Sequence, residues 1–195
     1  MNFSAVILAG GKSSRMGCDK ALMEIGGQTL LARQIQLVSE AGADEVFISG
    51  RADADYSAFG CPVLKDKFPD AGPLAGIERA LDAATSPLLL VVAVDLVALE
   101  LKTLQMLAAR CAENCGAVPR VEGNIEPLAA FYPKAALPLA TFLLNQNSFA
   151  VKNFVNRCEQ GALVSTVDLP ADAAGPFRNC NSPGELESAR SNQAV

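Results

Sequence analysis

Three cations, two adjacent glycines and a few isolated aspartates carry the chemistry this sequence can offer. The cations and glycines fall within Ala5-Val-Ile-Leu-Ala-Gly-Gly-Lys-Ser-Ser-Arg-Met-Gly-Cys-Asp-Lys20. Gly10-Gly11 removes side chains and lets the backbone approach a ligand closely. Lys12, Arg15 and Lys20 follow in a polar loop. Backbone N–H groups, glycines and cations directly after a first strand form an anion cradle, and the natural anion is a polyphosphate. Asp95 stands at the end of the most apolar run, Leu88 to Val94. A carboxylate there can hold Mg²⁺, which takes one or two protein carboxylates and completes its shell with phosphates and water. Read alone, Asp95 is equally a turn aspartate that accepts local N–H groups.

Other chemistries are excluded by what the chain lacks. A P-loop needs G-x-x-x-x-G-K-[ST], but Gly11 and Gly17 are one residue too far apart and Cys18 follows Gly17. No G-x-G-x-x-G dinucleotide run occurs. The histidine count is 0, which removes Ser-His-Asp hydrolysis, Cys-His chemistry and histidine phosphotransfer. The 6 cysteines include no C-x-x-C pair. Cys111 and Cys115 have helical i, i+4 spacing, but no histidine can complete a zinc site with them. A formal net charge of −5 argues against general nucleic-acid binding, which needs a basic face. The N-terminus has no signal-peptide pattern, and Leu88 to Val94 is too short to span a bilayer. The expectation is a soluble cytoplasmic protein, with no nucleic acid and no membrane among its partners.

Those residues must be positioned by alternating strands and helices. Ala5 to Ala9 reads as a strand buried on both faces, and Leu88 to Val94 as a central parallel one. Leu22 to Gly27 reads as an extended piece and turn, and Thr29 to Ala41 as an amphipathic helix ended by Gly42. Glu45 to Ser49 and Pro62 to Lys65 read as strands. The segment Asp66 to Gly76 reads as a loop entering a helix that reaches about Ala84. Leu99 to Cys115 reads as a helix, and Gly116 to Arg120 as a strand. The turn Gly123-Asn124 joins that strand to Glu126–Tyr132 as a hairpin. Helices at Lys134 to Asn145 and Ser148 to Gln160, a strand at Ala162 to Val167 and a final helix follow. Ser182 and Glu185 form the last helix's capping box, with Pro183 at its first position. The architecture expected is a three-layer α/β/α sandwich with a Rossmann-like, mostly parallel sheet, as one domain over residues 1–195. Ligands in such sheets bind outside the carboxyl ends of the strands. Gly10, Ser49, Asp66 and Asp95 are expected on that edge.

The pattern Leu8-Ala9-Gly10-Gly11-x-Ser13-x-Arg15-Met16-Gly17-x-Asp19-Lys20 resembles the signature of nucleotidyltransferases that make activated sugars, cofactors and lipid precursors. The Gly10-Gly11 pair and the Arg15 to Lys20 ending look most like the molybdenum cofactor guanylyltransferases, among the MobA-like nucleotidyltransferases. The resemblance covers most of the chain. It implies a fold of the nucleotide-diphospho-sugar transferase type and transfer of GMP from GTP to molybdenum-bound molybdopterin, with Mg²⁺ as cofactor. It implies catalytic roles for Arg15, Lys20 and Asp95, with Asp95 the metal ligand. Nucleotide binding falls to Leu8, Ala9, Gly10, Gly11, Lys12, Lys20, Ser49, Asp66 and Asp95, and acceptor binding to Arg120, Asn179 and Asn181. Transient contacts with cofactor-delivery and acceptor proteins follow, and the chain is expected to be a monomer. Three positions depart from the family pattern. No proline follows Asp95 in Asp95-Leu-Val-Ala, Glu126 replaces a usual glutamine, and Ser49 stands where asparagine is frequent. Cytidylyltransferases acting on the same pterin, and a non-catalytic nucleotide-binding regulator on the same fold, remain as alternatives.

Overall fold

A computed structural model describes residues 1–10, 19–51 and 54–178. The chain opens on β1, Phe3–Leu8, and a 3₁₀ turn at Lys20–Leu22 leads to the short hairpin β2 (Glu24–Ile25) and β3 (Gln28–Thr29). Gly26 and Gly27 make its turn with φ of 64° and 81°, values that favour glycine. Helix α1 (Leu30–Glu40) starts where the Thr29 hydroxyl accepts the Ala32 N–H at 3.2 Å, an ordinary N-cap. Then come β4 (Glu45–Ser49), β5 (Val63–Leu64), α2 (Pro73–Ala83), β6 (Leu88–Ala93) and α3 (Leu101–Ala108). The last part holds β7 (Gly116–Val121), β8 (Asn124–Ile125), β9 (Ala129–Pro133), α4 (Leu137–Asn145), α5 (Val151–Gln160) and β10 (Val164–Leu169).

The main sheet has the order β5-β4-β1-β6-β9. Its neighbours run parallel except β6 and β9. Every residue of β1 and β6 is buried, which accounts for the unbroken apolar run of β6 and for that of β1 beyond Ser4. Alternation assigns their side chains to two cores. Phe3, Ala5 and Ile7 pack with Leu30, Leu31 and Val38 of α1 and Leu104 and Leu107 of α3. Val6 and Leu8 face the other way, among Leu74, Ile77 and Leu81 of α2, Leu143 of α4 and Phe154 of α5. The three layers expected from the sequence are therefore present. Among the described residues, no helix is long and apolar enough to cross a membrane.

Two expectations change. The helix over Leu99 to Cys115 is shorter, ending at Ala108. Its last buried side chain is Leu107, and the chain must then reverse to enter β7. Ala112 and Cys115 exchange backbone hydrogen bonds of 2.9 and 3.2 Å across that reversal, so the two cysteines do not share a helix face. The hairpin joining Gly116–Arg120 to Glu126–Tyr132 is also replaced. β7 pairs antiparallel only with the two residues of β8, and parallel with β10. β9 leaves to join β6 in the main sheet. Burial explains the choice. Ala129 and Phe131 fill one core while Ala130 and Tyr132 fill the other, because helices cover both faces of the main sheet even at β9, its last strand. β7 passes close against this strand. A Cβ at Gly116 would lie 2.0 Å from the Phe131 carbonyl oxygen, so only glycine fits the crossing. The capping box and helix expected near residue 182 lie outside the described residues.

Candidate active site

The carboxyl ends of β1, β4, β5 and β6 open on one edge, and the expected residues gather there. The Ser49 carbonyl accepts the N–H groups of Ala9 and Gly10 at 2.8 and 3.0 Å, and Val94 donates to the Leu8 carbonyl at 3.1 Å. These bonds splice the ends of three strands. They also engage the Ala9 and Gly10 amides within the protein, so neither is a ready donor to an anion. Gly11, Lys12 and Arg15 lie outside the described residues, as do Asn179 and Asn181.

Lys20 and Asp95 come together although they are remote in sequence. The Lys20 Nζ donates to Asp95 Oδ2 at 3.1 Å, with the side chains 14% and 21% exposed. Lys20 opens the 3₁₀ turn for which Asp19 is the N-cap, its Oδ1 accepting the Ala21 N–H at 3.0 Å. Asp95 follows β6, and the loop beyond it is anchored by Gln34 of α1. The Gln34 Nε2 donates to the Leu96 carbonyl at 2.9 Å, and the side chain is buried. That bond fixes the carbonyl of the first residue after Asp95.

Asp66 and Ser49 also meet, the Ser49 hydroxyl donating to Asp66 Oδ1 at a long 3.5 Å. Burial raises the Asp66 pKa above its ordinary 3.8, Ser49 opposes that shift, and the nearby Glu78 charge adds to it. Gly76 makes this corner possible. A Cβ there would stand 2.4 Å from Ser49 Oγ and 2.9 Å from Leu8 Cδ2, so α2 lies directly against the strand ends.

Arg120 stands apart from this group, on the small sheet. Its guanidinium donates to Thr166 Oγ1 at 2.9 Å and pairs with Glu159 and Asp168 at 3.5 Å each. Glu126 is half-buried. Burial raises its pKa, while the positive charge of Lys152 pulls it down. Sequence reasoning passed over Gln34, Gly76 and Tyr56. Gln34 had one available signal, a polar residue on the apolar face of α1. The other two acquire meaning only through contacts between distant segments.

A metal centre of the closed type is absent among the described residues, where no group of three His, Cys, Asp or Glu could hold an ion. A single hard carboxylate at a strand end still suits Mg²⁺, because phosphate and water oxygens fill the remaining positions. Asp95 has that chemistry.

Comparison with known proteins decides the family. A family model described as MobA-like NTP transferase domain matches residues 5–163. The chain belongs to this family. A protein of Opitutus terrae named "probable molybdenum cofactor guanylyltransferase" is 36% identical over 194 residues, covering 98% of this chain and 96% of that protein. The solved structure of molybdopterin-guanine dinucleotide biosynthesis protein A from Archaeoglobus fulgidus aligns with a TM-score of 0.72 at 22% identity, over 98% of each chain. That of 2-C-methyl-D-erythritol 4-phosphate cytidylyltransferase from Thermus thermophilus aligns with a TM-score of 0.72 at 21% identity, over 100% of each chain. These MobA-like and cytidylyltransferase structures share the fold, and Lys20, Ser49, Asp66 and Asp95 occupy the strand-end edge of this MobA-like domain.

Proposed function

We propose that this chain, acting as one nucleotidyltransferase domain, is a Mg²⁺-dependent molybdenum cofactor guanylyltransferase. It transfers GMP from GTP to the terminal phosphate of molybdenum-bound molybdopterin. An acceptor phosphate oxygen attacks the α-phosphorus of GTP, the bond from that phosphorus to the β-phosphate oxygen breaks, and pyrophosphate leaves. The observation that carries the reading is the 36% identity, along nearly all of both chains, to a protein named for that activity. The geometry supports it by joining a cation and a carboxylate at the edge where this sheet type binds ligands.

No covalent enzyme intermediate is needed. The protein places two anions in line and offsets the charge that develops on the α-phosphate and leaving group. Lys20 acts as a point charge on the phosphates, and Arg15 forks across two phosphate oxygens. Gly11 and Lys12, beside the spliced ends of Leu8, Ala9 and Gly10, cradle the triphosphate. Ser49 orients Asp66 toward the nucleoside. Asp95 would hold Mg²⁺, which would supply positive charge to offset that of the phosphates. Asn179 and Asn181 contact the acceptor. Arg120 reaches it only by leaving the ion pairs on β10 and α5. The reading places the enzyme in the cytoplasm.

The test is turnover with purified acceptor, Mg²⁺ and each nucleoside triphosphate. Pyrophosphate and a guanylylated pterin should appear. GTP should bind better than CTP by at least about tenfold, roughly 1.4 kcal/mol, because Gly10-Gly11 leaves room beside a purine. Equal or reversed affinities would transfer the reading to a cytidylyltransferase. Nucleotide binding without product would make the chain a regulator.

A further inference from the structure

Asp19 has two carboxylate oxygens directed at two different parts of the fold. Oδ1 accepts the Ala21 N–H at 3.0 Å and so starts the turn that carries Lys20. Oδ2 accepts the Tyr56 hydroxyl at 2.6 Å, the length of a charge-assisted hydrogen bond to a carboxylate. Tyr56 is 1% exposed and belongs to the segment after β4. Its ring lies against Gly50, where a Cβ would fall 2.2 Å from ring atom Cε2. Its hydroxyl also receives the Arg51 N–H at 3.4 Å. A continuous path thus runs from the end of β4 through Tyr56 and Asp19 to the turn bearing Lys20, and from Lys20 to Asp95.

We infer that Tyr56 is a positioning residue, whose hydroxyl fixes Lys20 at the phosphate site by orienting Asp19. The inference rests on the transfer reaction proposed above for its kinetic consequence, but not for its geometry. A capping carboxylate alone can rotate about its own bonds and still accept an N–H. A second bond from a fully buried phenol removes that freedom, and Gly50 supplies the space that lets the ring come close enough. Burial, then Asp19, push the Tyr56 pKa up to about 12, so the hydroxyl stays a donor throughout the neutral range.

Tyr56→Phe keeps the ring on Gly50 and deletes only the donor. If Tyr56 acts through Lys20, its effect must vanish when Lys20 is gone. Turnover of Tyr56→Phe should fall about tenfold with KM for GTP within about twofold, whereas adding the same change to Lys20→Ala should alter turnover by less than about twofold. Hydrogen exchange of the Ala21 amide reads the position without any reaction. It should speed up about tenfold in Tyr56→Phe, while β1 amides stay protected. Equal fractional losses in the two backgrounds, or an unchanged Ala21 amide, would overturn the inference. If the unmodified chain makes no product from GTP, the proposed reaction fails, and the exchange measurement alone decides Tyr56.

Discussion

The two edges of the main sheet treat their carboxylates differently. At the amino edge, Glu45 Oε2 accepts the Ser4 hydroxyl at 2.7 Å and the Thr85 N–H at 3.0 Å. Asp44 accepts the Ser86 hydroxyl at 3.2 Å. Lys134 closes the same edge, its Nζ donating to the Ala84 carbonyl and its N–H to the Pro87 carbonyl. At the carboxyl edge Asp66 is held by one long bond, and the buried Glu78 keeps its Oε2 without a partner among the described residues. The first edge satisfies its charges within the fold. The second satisfies Asp95 through Lys20, and Asp19 through Tyr56 and the Ala21 N–H. It holds Asp66 weakly and leaves that one Glu78 oxygen unpaired, which costs stability and, on the proposed reading, suits a site for charged ligands.

Substitutions can break or sharpen that contrast. The largest effect belongs to Asp95→Asn. Loss of the anionic oxygen should lower turnover by about 10³-fold or more, given the preference of Mg²⁺ for charged ligands. Its ligand-free melting temperature should hardly move, while the stabilisation given by Mg²⁺-GTP should shrink. A less stable fold with intact activity per folded molecule would instead make Asp95 a structural turn residue, and the contrast would fail there. Lys20→Ala comes next. Removing one electrostatic stabiliser should cut turnover about 10²-fold with little change in the melting curve.

Asp66→Asn should act in both directions at once. Its binding of GTP, measured by calorimetry, should weaken about tenfold. Its stability relative to the wild type should rise with pH. The folded-state pKa of Asp66 lies above the ordinary 3.8, so the carboxyl favours folding below that value and loses this contribution as pH climbs through the raised pKa. Denaturant curves across that window check the sign. The smallest effect is Glu45→Gln, which should leave turnover unchanged and cost on the order of 1 kcal/mol or less, since an amide oxygen can still accept and the group is near solvent. The Thr85 and Ser4 hydrogen bonds hold the Glu45 pKa below 4.5. Its contribution is therefore present above that value and fades as pH falls through the depressed one. The gap between variant and wild type should close in acid.

What was legible in the sequence followed from burial. Strands Phe3–Leu8 and Leu88–Ala93 are covered on both faces, so their composition alone announced them, and the parallel edge placed Gly10, Ser49, Asp66 and Asp95 together. Partner choice was less legible. Nothing local shows that Phe131 prefers β6 to β7, because a strand buried on both faces reads alike in either pairing. The end of α3 was missed because Cys111 continues an apolar spacing that the chain does not use. Within the site, the Arg15 to Lys20 motif pointed to its own cations, but the Lys20–Asp95 pair and the Tyr56–Asp19 bond are products of the fold.

The register that pairs Phe3 with Leu88 also governs when the site comes into being. Gly10 follows β1 and Asp95 follows β6, two strands that meet only after nearly half the chain has been made. Contacts of such large sequence separation form slowly, since loop closure must precede their reward. On the proposed reading, a growing chain has no nucleotide site until β6 has emerged and docked beside β1. Capture of Mg²⁺-GTP would, on the same reading, report that docking.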